Sequence, residues 1–372
     1  MDPLTPQPQY FELPERFKLE SGQTLTEARI IYETYGTLSK KADNAILICH
    51  ALTGNHHAAG QYPQEQIFGW WNAMIGPGKA IDTSKFFILC ANNLGGCHGS
   101  TGPNSPMPGE DTAERRYGRS FPQVSVQDWV RSQQLLATHL NINRFHAVIG
   151  GSLGGMQALQ WAISFPDQIE RCIAIASTAS LSAQNLAFNV IARKAIELSA
   201  TGSEPKAAEG LGLARMLGHI TYLSEHGMSE RFGREKMQTA ADNRFTIQSY
   251  LEYQAKTFVE KGFDANTYLL MSHVLDQFDL AAHTHGDLVR ALEPAVCDFL
   301  LISFDSDWRF PPARSKELVT ALIQAHKPVS YLEFASEKGH DAFLFALPPY
   351  QDALRTFLDR PQTLVVPANR PE

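Results

Sequence analysis

Cysteine is scarce: Cys49, Cys90, Cys97, Cys172 and Cys297 are an odd number in 372 residues, and no two stand in a C-x-x-C spacing. That removes the usual signatures of a zinc module and of a dithiol redox centre, so no metal site is expected. Four of the five lie in or beside apolar runs, where a buried thiol is the expected state. Basic charge is also short, with 32 Lys and Arg against 39 Asp and Glu and a net charge of −7. This argues against a general nucleic-acid or membrane-surface binder. No apolar run approaches the ~18 residues needed to cross a bilayer. The opening residues MDPLTPQPQYFELPERF carry neither a basic n-region nor an apolar h-region, so no signal peptide is expected there and the expected compartment is the cytoplasm. Internal repeats and low-complexity tracts are missing as well. Hydrophobic residues at 44% and charged residues at 19% suit a globular chain with a sizeable core.

Short apolar runs alternate with helical patterns. Residues 1–20 are punctuated by proline and are expected on the surface. Glu27–Tyr35, Ala45–Cys49, Phe86–Ala91, Phe145–Ile149 and Arg171–Ala176 read as strands, and Val126–Leu140 as a helix. From Ser182 to Leu292 the pattern turns helical, with examples at Asn189–Ser199, Gly212–Glu225 and Thr246–Val259. Strands return at Cys297–Phe304 and Val329–Phe334, with helices at Lys316–Ala325 and near Tyr350–Asp359. The class is α/β, with a mostly parallel central sheet covered on both faces. The expected division is a core of residues 1–181 and 296–372, interrupted by a helical insertion over 182–295. Such an insertion would cover the carboxyl edge of the sheet, where α/β sites lie.

The richest local signal is Gly150-Gly151-Ser152-Leu153-Gly154-Gly155, between the apolar run Ala147–Ile149 and a helix start at Met156–Ala162. Strand, G-x-S-x-G and helix is the setting of a nucleophile elbow. Glycine flanks relieve the clash of a tight turn and permit positive φ. The serine then stands at a helix head, where developing negative charge is favoured. The plainer alternative is a glycine-rich turn with an N-capping serine. A serine nucleophile needs a base, and the base needs an orienting carboxylate, in the chain order Ser, Asp or Glu, His. The strand ending at Phe304 runs into Asp305 and Asp307, and the strand ending at Phe334 runs into His340 and Asp341. Asp307 is favoured over Asp305, although spacing alone does not decide between them and either could cap its loop. The oxyanion hole should combine the N–H of Leu153 with one from the His50–Gly54 loop, for which Leu52 is the better candidate.

Longer motifs then become recognisable. Asn93–Pro103 (NLGGCHGSTGP), Gly150–Trp161 (GGSLGGMQALQW), Ser182–Asn185 and Ala214–Tyr222 (ARMLGHITY) resemble signatures of the homoserine O-acyltransferases of methionine biosynthesis. The resemblance runs from about Phe17 to Leu358. It implies an α/β-hydrolase fold with a helical lid and a homodimer formed through that lid. It implies ping-pong transfer of an acyl group from acyl-CoA, as co-substrate, to the hydroxyl of L-homoserine, with no further cofactor. It supports Ser152 as nucleophile, Asp307 as acid and His340 as base, and it suggests Arg215 and Asp341 as the homoserine grips. A guanidinium suits the carboxylate of an amino acid and a carboxylate suits its ammonium. Asn104–Arg119 does not align with the family pattern and receives no role.

For the acyl donor, the resemblance points to Arg309, two residues after Asp307. Acetyl-using members carry an apolar residue there, and succinyl-using members resemble this chain. A succinyl chain ends in a carboxylate whose burial without a partner is costly, and an arginine supplies that partner. The opposing possibility is that Arg309 faces solvent or pairs with Asp305. Acetyl transfer, or an esterase or thioesterase using the same triad with water, are the alternative activities. Serine remains an alternative acceptor, because one methylene is worth only ~1–3 kcal/mol of discrimination. A non-catalytic binding module is disfavoured, since no triad member is missing.

Overall fold

The computed structural model describes residues 4–62, 67–109, 115–199, 204–237 and 243–361. The other residues of the expected core and insertion, and 110–114 of the unaligned segment, lie outside the described residues.

Among the described residues the strands are β1 (Gln9–Glu12), β2 (Arg16–Lys18), β3 (Thr24–Thr26), β4 (Arg29–Tyr35), β5 (Ala45–Cys49), β6 (Phe87–Ala91), β7 (Ala147–Gly151), β8 (Arg171–Ile175), β9 (Asp298–Phe304) and β10 (Val329–Phe334). Eight of them make one sheet in the order β1-β4-β6-β5-β7-β8-β9-β10. From β6 to β10 the pairing is parallel, while β4 is antiparallel to both β6 and β1. β5 shows why this sequence folds so: Ala45, Leu47 and Cys49 enter the core on one face, Ile46 and Ile48 on the other. A strand buried on both faces needs an unbroken apolar run.

The helices are α1 (Val126–His139), α2 (Leu153–Ser164), α3 (Ala183–Ser199), α4 (Glu204–Tyr222), α5 (Glu225–Phe232), α6 (Thr246–Glu260), α7 (Ala265–Gln277), α8 (Leu288–Leu292), α9 (Pro312–Gln324) and α10 (Pro348–Asp359). Trp129 of α1, Trp161 of α2 and Leu322 of α9 pack on one face of the sheet. Tyr350 and Leu354 of α10, with Trp71 and Met74, pack on the other. α1 begins in a capping box, with the Ser125 side chain accepting from the Asp128 N–H and Asp128 from the Ser125 N–H. Between β8 and β9 the regular elements are helices, and Ala192 and Ile196 of α3 share a separate apolar cluster with Leu211 and Ala214 of α4.

One expectation needs correction. Residues 1–20 are not merely surface: Leu13, Phe17 and Leu19 are buried, β1 extends the sheet edge and β2 pairs with β3. The strands are only three or four residues long, and β1 lies between Pro8 and Pro14, which hides them from a pattern search. The sheet is mostly parallel, as expected, and only its β1-β4-β6 edge is antiparallel. All five cysteines are free and buried, and burial pushes the Cys297 thiol up to about 12. Among the described residues no helix is long and apolar enough to cross a membrane.

Candidate active site

The elbow follows β7 directly. Ser152 has φ 57° and ψ −124°, a conformation that side chains other than glycine rarely adopt. It is held there by its surroundings: its N–H donates to Ile175 O at 2.9 Å on β8, and its carbonyl accepts from Gly155 N and from Ser177 Oγ at 2.8 Å. The glycines act otherwise than expected. Positive φ falls on Ser152 itself and on none of Gly150, Gly151, Gly154 or Gly155. Their service is space. A Cβ on Gly150 would collide with the Gly154 backbone, one on Gly154 with the Cys49 carbonyl, and one on Gly155 would sit 2.6 Å from Ser177 Cβ. The Ser152 side chain makes no capping bond to α2. Its hydroxyl points instead to His340, with Oγ 2.8 Å from Nε2.

His340 lies on a short 3-10 turn after β10, and its Nδ1 is 2.8 Å from Asp307 Oδ2. An ionised carboxylate only accepts, so Nδ1 carries the proton and Nε2 is left to accept from Ser152. Asp307 Oδ1 accepts the backbone N–H groups of Arg309 at 3.0 Å and Phe310 at 2.8 Å. Asp307, His340 and Ser152 are all buried. Asp305, the competing carboxylate, is exposed and accepts from the Ser336 N–H. The structure thus joins Ser152, His340 and Asp307 in one hydrogen-bonded line, across separations of 188 and 33 residues.

A cavity of about 160 Å³ opens over this line. Leu52, Arg215, Arg309, His340 and Asp341 line it, together with Trp70, Tyr222 and Phe343, to which sequence reasoning assigned no role. Tyr222 closes a motif singled out in the sequence. Trp70 lies in the long segment between β5 and β6, which offers no local signal. Leu153 buries its side chain in the core and leaves its N–H at the head of α2, where no preceding turn can accept it. The Leu52 loop is braced: Gln157 Nε2 of α2 donates to His50 O at 3.0 Å, and His50 Nε2 accepts the Asn93 N–H at 3.1 Å. His50 therefore carries its proton on Nδ1, 2.9 Å from Ala51 O, and burial lowers its pKa to about 4. It is a structural neutral imidazole.

Arg215, on α4, is half-buried, with its guanidinium 4.7 Å from the centre of the Phe258 ring and its Nε buried without a partner. Burial pushes the Asp341 carboxyl above its ordinary range, against the opposing pull of His340 and Arg215. Arg309 neither faces solvent nor pairs with Asp305. It is 5% exposed and donates to Thr221 Oγ1 at 2.8 Å and to Asn189 Oδ1 at 3.3 Å. Among the described residues no carboxylate forms an ion pair with either Arg215 or Arg309.

A strained serine after a central parallel strand, an aspartate and a histidine following it in that chain order, and a braced loop after an earlier strand beside them define an α/β-hydrolase. Residues 44–347 match the family model of the alpha/beta hydrolase fold. The homoserine O-succinyltransferase of Hahella chejuensis is 53% identical over 370 residues, covering 96% of this chain and 94% of that protein. The chain belongs to the homoserine O-succinyltransferase family. Among solved structures, homoserine O-acetyltransferase from Bacillus anthracis superposes with a TM-score of 0.88 at 29% identity, over 97% of this chain and 99% of that one. Esterase E22 superposes with a TM-score of 0.85 at 28% identity, over 95% and 100%.

Proposed function

We propose that the protein moves a succinyl group from succinyl-CoA to the hydroxyl of L-homoserine, a step of methionine biosynthesis. His340 Nε2 takes the Ser152 proton as Oγ attacks the thioester carbonyl. The N–H groups of Leu153 and Leu52 receive the oxyanion. The leaving CoA sulfur takes that proton from His340 and departs as the thiol, which frees the imidazole again, and Ser152 keeps the acyl group. Homoserine then enters, with its carboxylate on Arg215 and its ammonium on Asp341. His340 takes the proton of its hydroxyl, the new ester forms, and the proton returns to Ser152. These steps call on no cofactor beyond the acyl-CoA co-substrate, and acyl-CoA chemistry would place the enzyme in the cytoplasm.

The observation that carries the succinyl reading is Arg309, a buried guanidinium lining the cavity above Ser152 with no carboxylate partner among the described residues. The distal carboxylate of a succinyl chain would supply one; an acetyl methyl would not. Such a charge-assisted bond is worth ~1.5–3 kcal/mol, roughly 10- to 150-fold in kcat/KM. Arg309→Leu should lower kcat/KM for succinyl-CoA by about that factor while acetyl-CoA holds or improves. A wild-type preference for acetyl-CoA, or a donor ratio indifferent to the substitution, would remove the basis of the reading.

Likeness to an esterase keeps hydrolysis in view as the second reading. Both use an acyl-serine, and the acceptor decides between them. The product formed with and without L-homoserine discriminates, with L-serine as a further acceptor. The lid helices also carry exposed apolar side chains: Val190, Ile191 and Leu198 on α3, Leu213 and Ile220 on α4, and Tyr253 on α6. Pairing of two copies through this surface would cover them, and sedimentation of the purified protein tests for a dimer.

A further inference from the structure

Arg309 is held by neutral groups, and each holder is itself constrained to accept. Asn189, on α3, turns its Nδ2 to Asp276 Oδ1 of α7 at 2.7 Å, and Asp276 Oδ2 pairs with Arg193 at 2.6 Å. A carboxylate cannot donate, so the amide nitrogen must face Asp276 and the amide oxygen must face Arg309. Thr221, on α4, gives its one hydroxyl proton to Gly218 O at 2.9 Å and so offers only a lone pair to Arg309. Asp276 is already neutralised by Arg193 and passes no net negative charge on. Two of the five guanidinium N–H donors are engaged by these holders, which leaves the rest of the fork for a ligand. Tyr222 stands beside it, with its ring centre 5.4 Å from the guanidinium carbon. The core loop bearing Arg309 is fastened to the same lid helices, since Asn185 Nδ2 donates to Arg309 O at 2.8 Å.

We propose that Asn189 and Thr221 are positioning residues for donor choice: they aim Arg309 into the cavity through neutral acceptors, so that its charge stays uncompensated until the terminal carboxylate of the acyl donor arrives. This rests on the succinyl reading above. A carboxylate in place of either holder would satisfy Arg309 permanently and compete with the donor. A buried arginine normally carries such a carboxylate as its partner. Its replacement here by an amide and a hydroxyl leaves the cation available.

The test is a mutant cycle read as the ratio of kcat/KM for succinyl-CoA to that for acetyl-CoA, with homoserine as acceptor. Thr221→Val is nearly isosteric and removes one acceptor; Asn189→Asp is isosteric and adds the competing charge. Each is made alone and together with Arg309→Leu. Alone, Asn189→Asp should lower the ratio by about ten-fold or more and Thr221→Val by about three-fold or more, the range expected for loosening one charge-assisted bond. In the Arg309→Leu background neither should move the ratio, because there is no guanidinium left to aim. A ratio unmoved in the presence of Arg309 would overturn the inference. So would the same shift with and without Arg309, which is the signature of a merely structural effect. Thermal melting identifies a variant that fails to fold, and Thr221→Val, the smaller change, then decides. A wild type that does not prefer succinyl-CoA would instead refute the reading on which the inference stands.

Discussion

Replacing Asp307 by asparagine isolates what the buried carboxylate does. Its Oδ1 accepts two backbone N–H groups, from Arg309 at 3.0 Å and Phe310 at 2.8 Å, and its Oδ2 faces His340 Nδ1 at 2.8 Å. An amide has one acceptor end and one donor end. The two N–H groups hold the amide oxygen of the variant where Oδ1 was, so its NH₂ must face His340. Nδ1 then becomes the acceptor, the imidazole proton moves to Nε2, and His340 can no longer take the Ser152 proton. The same tautomer error in a serine-protease triad costs about 10⁴ in kcat, ~5.4 kcal/mol of barrier. Asp307→Asn should therefore slow the burst of CoA released from succinyl-CoA without acceptor by about that factor. Its melting temperature should stay close to wild type, because both backbone donors keep their partner. Asp307→Ala should be just as slow but also less stable, since two buried N–H groups lose their acceptor at ~1–3 kcal/mol each. If the asparagine variant acylates within about ten-fold of wild type, the orienting role argued from these bonds is wrong. If the two variants melt alike, Oδ1 does not anchor the loop.

Intact-mass analysis of protein incubated with succinyl-CoA alone should find one succinyl adduct on Ser152, and Ser152→Ala should abolish it; an adduct elsewhere would defeat the assignment. Gly154→Ala drives a Cβ into the Cys49 carbonyl beside the His50–Gly54 loop and should cost ~1–3 kcal/mol of stability, read by denaturant unfolding; a neutral result would mean the turn has slack. Burial raises the Asp341 pKa, so ionising it opposes folding: the cost is absent below the ordinary carboxylate range and complete above the raised value. Asp341→Asn should thus melt higher than wild type at neutral pH, with the difference vanishing in acid, yet bind homoserine poorly. In the wild type, KM for homoserine should rise as pH falls through the raised value while the acylation burst does not follow it; parallel loss of both would contradict the division between acceptor and donor groups.

The sequence by itself determined the order of elements and the chemical groups available to the site. The apolar runs located β5, β7, β8 and β9 to within about two residues, because a strand covered on both faces must be apolar throughout; β10, at the edge of the sheet and partly exposed, showed as a run mixed with Ser330 and Glu333. The elbow was legible because a turn that tight leaves no room for a Cβ at Gly150, Gly154 or Gly155. What required tertiary structure is of another kind. Whether Asp305 or Asp307 meets His340 depends on how one loop folds back, and only Asp307 is turned inward, its Oδ1 held by two backbone N–H groups. The positive φ at Ser152 is imposed by bonds from β8 and from Ser177, which no local pattern around residue 152 reveals. β1 to β3 were missed because strands of three or four residues that bury at most one side chain each leave no period. The setting of Arg309 was least legible of all: its holders lie 88 and 120 residues away on α4 and α3. Local propensity and spacing act over a few residues and are written along the chain. The partners of a buried charge are chosen by packing between distant segments, and only the folded chain brings them together.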